Sequence, residues 1–291
     1  MFEEFSLKTI KLGNNEIRLR IGGEGPPLLL LHGNPQTHVM WHAVAPKLSE
    51  HFTVVATDLT GYGESYKPES TPDHESFSKR AMALDQIEVM KHFGFERFAV
   101  AGHDRGGRVA YRMALDHPSV VSKLAVLDII PTLESFQRSN TEFGLGYYHW
   151  FFLAQPSPLP ETLINHDPEW FWRWHTNRVP RKFFTEEAIE DYLRCFKNPE
   201  TVRSICEDYR AGIAIDCEHD LEDQKNNNKI VCPVLALWGK QAKLEPWYDT
   251  LSIWRKWANN VDGFGIDCGH YLAEEEPAQT AEALLSFFNG S

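Results

Sequence analysis

The segment Val100-Ala101-Gly102-His103-Asp104-Arg105-Gly106-Gly107 sets a carboxylate among small residues, where an apolar run gives way to a helix-period stretch. Glycines at 102 and 106 allow a strand to turn sharply into a helix, and such a turn lifts its middle side chain to a helix N-terminus. This is a nucleophile elbow with aspartate in the place of serine. A carboxylate there attacks an sp³ carbon that bears a leaving group and keeps the product as an alkyl ester. Alone, Asp104 reads equally as a helix N-cap, so its chemistry depends on its partners.

Cleaving such an ester takes water and a base. Gly269-His270, in a turn after strand-like residues 261–266, stands where a water-activating histidine is needed. Its imidazole requires an acid that holds the tautomer and offsets its charge. The turn Trp238-Gly239-Lys240-Gln241-Ala242-Lys243 has no carboxylate, whereas Val126-Leu127-Asp128-Ile129-Ile130 places an aspartate among apolar residues at the preceding strand end. A charge so surrounded is rarely buried without a partner, and Asp128 is assigned as the orienting acid. The oxyanion formed during ester hydrolysis needs backbone donors: the N–H of Arg105, after the nucleophile, and that of Asn34 in the loop His32-Gly33-Asn34-Pro35.

Arg105 and Arg108 lie three residues apart at the start of one helix and can point together. Two guanidinium groups beside Asp104 call for an anion, and a substrate carboxylate suits their geometry. Solvated arginines, or ion pairs with Asp116, are the plainer alternative. The aromatic runs Tyr147-Tyr148-His149-Trp150-Phe151-Phe152 and Trp170-Phe171-Trp172-Arg173-Trp174, and Tyr209 as well, read by density alone as packing.

The elements that must position these groups follow from periodicity. Residues 5–12 and 16–21 alternate like a hairpin, while residues 28–31, 53–56, 98–101, 124–127 and 234–237 are short apolar runs ending at turns. Helix-period segments at 77–93 and 107–115 lie between them, the signature of a mostly parallel sheet with crossover helices. After Pro131, about one hundred residues are aromatic-rich and helical in pattern, until a polar stretch at 223–228, read as a linker, leads back to strand pattern. A helix over residues 277–288 closes the chain. The expectation is an α/β core of residues 1–130 and 225–291, interrupted by a helical cap of residues 131–224, with a small ligand enclosed between them.

Composition narrows the partners. Lys+Arg 29 against Asp+Glu 41 leaves a net charge of -12, which repels a phosphate backbone, so nucleic acid is not expected. No apolar run approaches the ~20 residues that cross a bilayer, and the first five residues lack the basic-then-apolar order of a signal peptide. No membrane association is expected, and the cytoplasm is the expected location. The cysteines, 5 in number and without a C-x-x-C pair, suggest reduced thiols rather than a disulfide framework or a zinc site.

Taken together, Gly102-His103-Asp104-Arg105-Gly106-Gly107-Arg108, Leu127-Asp128-Ile129-Ile130-Pro131, His149-Trp150, Asp208-Tyr209-Arg210-Ala211-Gly212 and Gly269-His270 resemble the fluoroacetate/haloacetate dehalogenases of the α/β-hydrolase fold, in order along nearly the whole chain. The resemblance implies a mostly parallel sheet flanked by helices, with an inserted helical cap. It implies Asp104 as nucleophile, His270 as base, Asp128 as its partner, and Arg105 with Arg108 as ligands of a haloacetate carboxylate. It further implies His149, Trp150 and Tyr209 as donors to the departing halide, and three donors suit a small, hard anion. No cofactor and no metal is implied, the substrate is a small anion, and a homodimer is a family-level expectation.

The chain departs from that family at Asn34, where an aromatic residue usually follows His-Gly. Asn there is similar to the haloalkane dehalogenases, in which its amide helps hold the halide, but those enzymes carry Trp where this chain has Arg105. The pairing favours a haloacid over a neutral haloalkane. Thr60, in Asp58-Leu59-Thr60-Gly61-Tyr62-Gly63, replaces a usual Arg and is read as structural. Two alternatives remain: an epoxide hydrolase recruiting Tyr147, Tyr148 or Tyr209 to protonate the epoxide oxygen, against which the two arginines argue, and a noncatalytic ligand-binding relative.

Overall fold

Leu28, Leu29, Leu30 and Leu31 are wholly buried, as a strand covered by helices on both faces must be. They belong to the middle of an eight-stranded sheet in a computed structural model that describes residues 1–176 and 183–290. Its strands are β1 (Ser6–Leu12), β2 (Asn15–Gly22), β3 (Pro27–Leu31), β4 (Thr53–Thr57), β5 (Phe98–His103), β6 (Val121–Leu127), β7 (Val234–Gly239) and β8 (Val261–Ile266), in the order β1-β2-β4-β3-β5-β6-β7-β8. The β1/β2 hairpin and the β2/β4 pair are antiparallel, and every other pairing is parallel. This is the α/β-hydrolase arrangement that the sequence implies.

Parallel register brings strand ends to one edge. Leu31 pairs with Gly102, His103 with Leu127, and Leu127 with Leu237, so the turns after β3, β5, β6 and β7 leave the sheet together. The ladder continues one residue further: the Asp104 N–H donates to the Leu127 carbonyl at 3.2 Å and the Asp128 N–H to the Leu237 carbonyl at 2.8 Å. Both aspartates are therefore fixed by sheet geometry before their side chains make any contact.

After β5 the chain turns into the helix Arg105–Asp116, which begins two residues earlier than the apolar pattern suggests. At the turn Asp104 adopts φ 45° and ψ -116°, a conformation that costs a non-glycine residue on the order of 1–3 kcal/mol and clusters at functional sites. The close approach around it requires glycine. A Cβ on Gly102 would lie 2.4 Å from the Gly106 carbonyl oxygen, and one on Gly106 would lie 2.5 Å from the His32 carbonyl oxygen.

Between β6 and β7 the named elements among the described residues are all helices, from Thr132–Gln137 to Ile215–Asn226. Residues 177–182 of this expected cap lie outside the described ones. The polar stretch 223–228 is not a free linker: the helix Ile215–Asn226 runs through its first part, and Asn227 ends the helix in a left-handed conformation with φ 53°. The reason is a buried anchor. Asp223 accepts from Arg112 Nη2 at 2.6 Å, Asp220 accepts from the same nitrogen at 3.0 Å, and both aspartates face the core helix that carries Arg112. Lys79 likewise reaches Asp216 at 3.1 Å and also Asp208, so charged pairs tie the insertion to the core.

Replacing Gly106 by alanine separates two opposing effects. Helix propensity favours alanine by about 1 kcal/mol, whereas overpacking against backbone atoms that cannot step aside costs about 1–3 kcal/mol or more. Steric crowding is expected to win. Urea denaturation of Gly106→Ala should show a lower midpoint than the parent chain; an equal or higher midpoint would contradict this packing.

Candidate active site

A cavity of about 450 Å³ opens over the strand ends, walled on the core side by Asn34, Asp104, Arg108, Asp128 and His270 and on the insertion side by Tyr147, His149 and Trp150. Asp104 forms its floor. One of its carboxylate oxygens accepts the Asn34 N–H at 2.9 Å, so the loop after β3 already aims a backbone donor at the nucleophile position. That loop is held by His32, whose Nδ1 donates to the Gly33 carbonyl at 2.8 Å while Nε2 accepts from the Leu59 N–H at 3.0 Å. The second expected donor, the Arg105 N–H, sits in the first turn of the elbow helix, where amide hydrogens have no helical partner.

Burial opposes charge on Asp104, but the positive charges of His270, Arg105 and Arg108 outweigh it and hold the carboxyl below its ordinary value. It is a carboxylate, the form in which it can act as a nucleophile. Opposite it, His270 Nδ1 lies 2.6 Å from Asp128 Oδ2, and the other oxygen of Asp128 accepts the Gly239 N–H at 3.0 Å. An ionised carboxylate only accepts, so Nδ1 carries the proton and Nε2 is left as the basic nitrogen. Burial works against a charged His270, yet the Asp128 hydrogen bond and the charges of Asp128, Asp104 and Glu275 prevail, and its pKa is raised.

The two arginines part company. Arg108 lines the cavity with its guanidinium over the Trp150 ring at 4.5 Å, and its Nη1 donates to the Ile130 carbonyl at 3.1 Å and to Thr132 Oγ1 at 3.0 Å. Its buried Nε has no hydrogen-bond partner among the described residues. Arg105 does not line the cavity, contrary to the expected two-arginine clamp. Its Nε and Nη2 grip the carboxylate of Asp208 at 2.7 and 2.8 Å, Nη2 also donates to the Asp208 carbonyl at 2.9 Å, and the guanidinium lies 4.3 Å from the Tyr209 ring centroid. Asp208 is wholly buried on the insertion helix Pro199–Ile213, and a carboxylate so placed demands a cation.

The three expected halide donors also divide. His149 and Trp150 stand in the cavity wall, with Tyr147 stacked on Trp150 at an interplanar angle of 8°. Tyr209 is buried behind that wall, its hydroxyl accepting from Asn34 Nδ2 at 3.4 Å. Asn34 thus reaches the nucleophile through its backbone and Tyr209 through its side chain. Asp208 escaped the sequence reading although it directly precedes Tyr209 in the quoted motif; between Glu207 and Arg210 it carries no local sign of burial. Glu274 escaped it too. This buried carboxyl, pushed up to about 8 by burial, accepts from Tyr192 at 2.9 Å and from Gln36, two residues beyond Asn34 in the oxyanion loop.

Comparison with known proteins bears on this geometry. The family model for the alpha/beta hydrolase fold matches residues 26–277. A fluoroacetate dehalogenase from Burkholderia sp is 41% identical over 294 residues, covering 99% of this chain and 95% of that protein. A soluble epoxide hydrolase from Corynebacterium sp. (strain C12) is 36% identical and covers 91% of both chains. Among solved structures, that of ALR0039 from Nostoc sp PCC 7120 superposes with a TM-score of 0.98 at 49% identity, over 100% of both chains.

The His270–Asp128 pair has a pH signature. Because the fold favours protonated His270, the pair's stabilising contribution is complete below the ordinary imidazole value of ~6.5 and is lost as pH rises through the raised native value. An NMR titration of the His270 ring should place its midpoint above ~6.5, and Asp128→Asn should bring it down. A midpoint that the substitution leaves in place would mean that the Asp128 contact does not govern His270.

Proposed function

The chain belongs to the alpha/beta hydrolase fold family, and from that membership we propose that it is a hydrolytic dehalogenase converting haloacetates such as fluoroacetate and chloroacetate to glycolate and halide. The observation that carries the reading is the pairing of a carboxylate nucleophile, Asp104, with the cationic Arg108 in one cavity. Arg108 helps to keep Asp104 ionised, and a guanidinium lining the cavity suits an anionic substrate better than a neutral one. The 41% identity to a fluoroacetate dehalogenase supports the same substrate class.

In this mechanism Arg108 takes the substrate carboxylate, while Arg105 is anchored on Asp208. The fixed carboxylate aligns the carbon–halogen bond opposite Asp104, and orientation of this kind supplies much of the acceleration in a displacement. An Asp104 oxygen bonds to carbon as the halide departs with the electron pair. His149 and Trp150 donate to the developing charge, joined by Tyr209 if its hydroxyl turns inward from Asn34. Water then gives a proton to His270 Nε2 and attacks the ester carbonyl, whose oxyanion the N–H groups of Asn34 and Arg105 receive. Collapse releases glycolate, whose oxygen takes the proton back from His270, and the second proton of the water leaves the Asp104 carboxyl for solvent, so that the carboxylate is restored. No cofactor enters.

A second reading, epoxide hydrolysis, shares Asp104, His270 and Asp128. It draws support from Tyr147 in the cavity wall and from the likeness to the Corynebacterium epoxide hydrolase.

Halide release from fluoroacetate and chloroacetate, measured with an ion-selective electrode beside a set of small epoxides, separates the two. Release is expected from the haloacetates and should vanish in Asp104→Asn. Opening of epoxides without halide release from either acid would sink the dehalogenase reading. In Arg108→Leu, kcat/KM for chloroacetate should fall about 10- to 150-fold, the worth of about 1.5–3 kcal/mol for hydrogen bonds to a charged group. An unchanged kcat/KM would remove Arg108 from the binding of the carboxylate.

A further inference from the structure

His270 is held by more than Asp128. The backbone of the turn that bears it is pinned at three successive residues by two side chains outside the cavity wall. His103, the last residue of β5 and immediate neighbour of the nucleophile, is wholly buried, and its Nε2 lies 2.7 Å from the His270 carbonyl oxygen. A carbonyl only accepts, so Nε2 carries the proton. Its Nδ1 is buried with no hydrogen-bond partner among the described residues. The two imidazole rings lean together with centroids 4.5 Å apart. On the other side, the Glu275 carboxylate accepts the Gly269 N–H at 2.8 Å with one oxygen and the Tyr271 N–H at 2.9 Å with the other. A single carboxylate therefore clasps the amides on both sides of His270, while a neutral imidazole on the nucleophile's own strand holds the carbonyl between them.

The choice of groups is informative. A His270 carbonyl could be satisfied by water or by any backbone donor, and a bare N–H of Gly269 or Tyr271 by solvent. Instead, the fold uses a buried ring and leaves one of its nitrogens unsatisfied, an arrangement that costs stability. Burial and the neighbouring His270 push the His103 pKa down to about 3, so the ring stays uncharged and leaves the field at His270 to Asp128, Asp104 and Glu275. The unsatisfied nitrogen has a neighbour that explains its confinement: a Cβ on Gly33 would fall 2.9 Å from it and 2.6 Å from the Asp104 Cβ, so oxyanion loop, nucleophile and His103 are closely packed.

We propose that His103 and Glu275 are positioning residues that set the imidazole of His270 for attack of water on the aspartyl ester, and so govern the second half of the reaction but not the first. The inference rests on the ester mechanism proposed above. Displacement of halide requires Asp104 and the substrate ligands but no base. Hydrolysis requires a water proton to pass to His270 Nε2, the water oxygen to bond to the Asp104 carboxyl carbon, and that carbon to release the glycolate oxygen, which takes up the proton. Only the second sequence depends on where Nε2 points.

The test is pre-steady-state halide release and intact-protein mass spectrometry with the full chain and chloroacetate, on His103→Leu, His103→Gln and Glu275→Ala. His103→Leu and Glu275→Ala should keep a rapid burst of about one halide per active site. Turnover after the burst should slow about 10- to 100-fold, the scale of a small misplacement in an active site. Their mass should rise by one carboxymethyl group as the ester accumulates. His103→Gln, which retains an N–H donor, should recover part of the turnover. Burst and turnover falling in proportion, or no accumulated ester in any variant, would reduce both residues to a structural role and overturn the proposal. Should the unsubstituted chain release no halide, the dehalogenase reading fails while positioning is still decided by the NMR titration of His270. A midpoint moved toward that of a free imidazole in His103→Leu, which removes no charge, supports positioning, and an unmoved one overturns it.

Discussion

The tight crossing of the elbow helix over β3 and β5 is the constraint on which the rest depends. At that crossing the Gly106 backbone meets the His32 carbonyl and Gly102 meets Gly106, at separations that exclude even a methyl group. Because the backbones are so close, Asp104 is forced to a positive φ, and its side chain stands up at the helix N-terminus rather than lying in the sheet. The same closeness brings the loop after β3 against Asp104, so that the Asn34 N–H reaches the carboxylate without any rearrangement. Backbone strain, the Asn34 N–H and the raised Asp104 carboxylate are thus consequences of one packing contact, and the strain is sustained by the sheet on either side.

Around that centre charge is arranged in layers of different depth. Asp104 and Arg108 face the cavity, where a substrate can complete their electrostatic needs. Arg105 is complete already, its fork spent on Asp208. The pair is buried and bidentate, and breaking such a pair by removing one member costs about 3–5 kcal/mol, because it strands the other charge. Its position gives it a second consequence. Asp208 belongs to the insertion and Arg105 to the elbow helix, so the same interaction that neutralises the arginine also fastens the roof over the nucleophile. Lys79, shared between Asp208 and Asp216, and Arg112, shared among Asp116, Asp220 and Asp223, repeat this device away from the cavity. The roof is docked through ions at its edges and, at its centre, through the Arg108 guanidinium lying over the Trp150 ring.

The His270 side of the site follows a different logic from the Asp104 side. Asp104 is positioned by backbone strain and close packing, whereas His270 hangs on a turn and relies on hydrogen bonds: Asp128 at its ring, His103 at its carbonyl and Glu275 at the flanking amides. A turn has no ladder to fix it, so side chains perform that task. Asp128, at a strand end and itself at φ 52°, transmits the rigidity of the sheet to the imidazole, since its second oxygen is held by the Gly239 amide of the neighbouring strand.

Much of this was legible in the order of residues. Solid apolar runs marked the buried strands because a strand covered on both faces has no polar alternation to confuse it, and β3 to β7 lie close to where those runs fall. The elbow was legible because its steric demand can be met only by small residues at set spacing, and Asp128 because a carboxylate amid Val, Leu and Ile has few other reasons to exist. The end of the insertion was misread as a linker because Asp223-Gln224-Lys225-Asn226 has the composition of solvent-exposed chain, and only Arg112, more than a hundred positions away, makes it a docked helix. The fate of the two arginines was likewise decided in three dimensions. Spacing on a helix puts Arg105 and Arg108 on neighbouring positions, but which of them faces the cavity depends on where the fold brings Asp208. Local sequence determines what a residue can do and which element carries it. Long-range packing decides which of several available partners it meets, because a buried charge is claimed by whichever opposite charge the fold brings within reach.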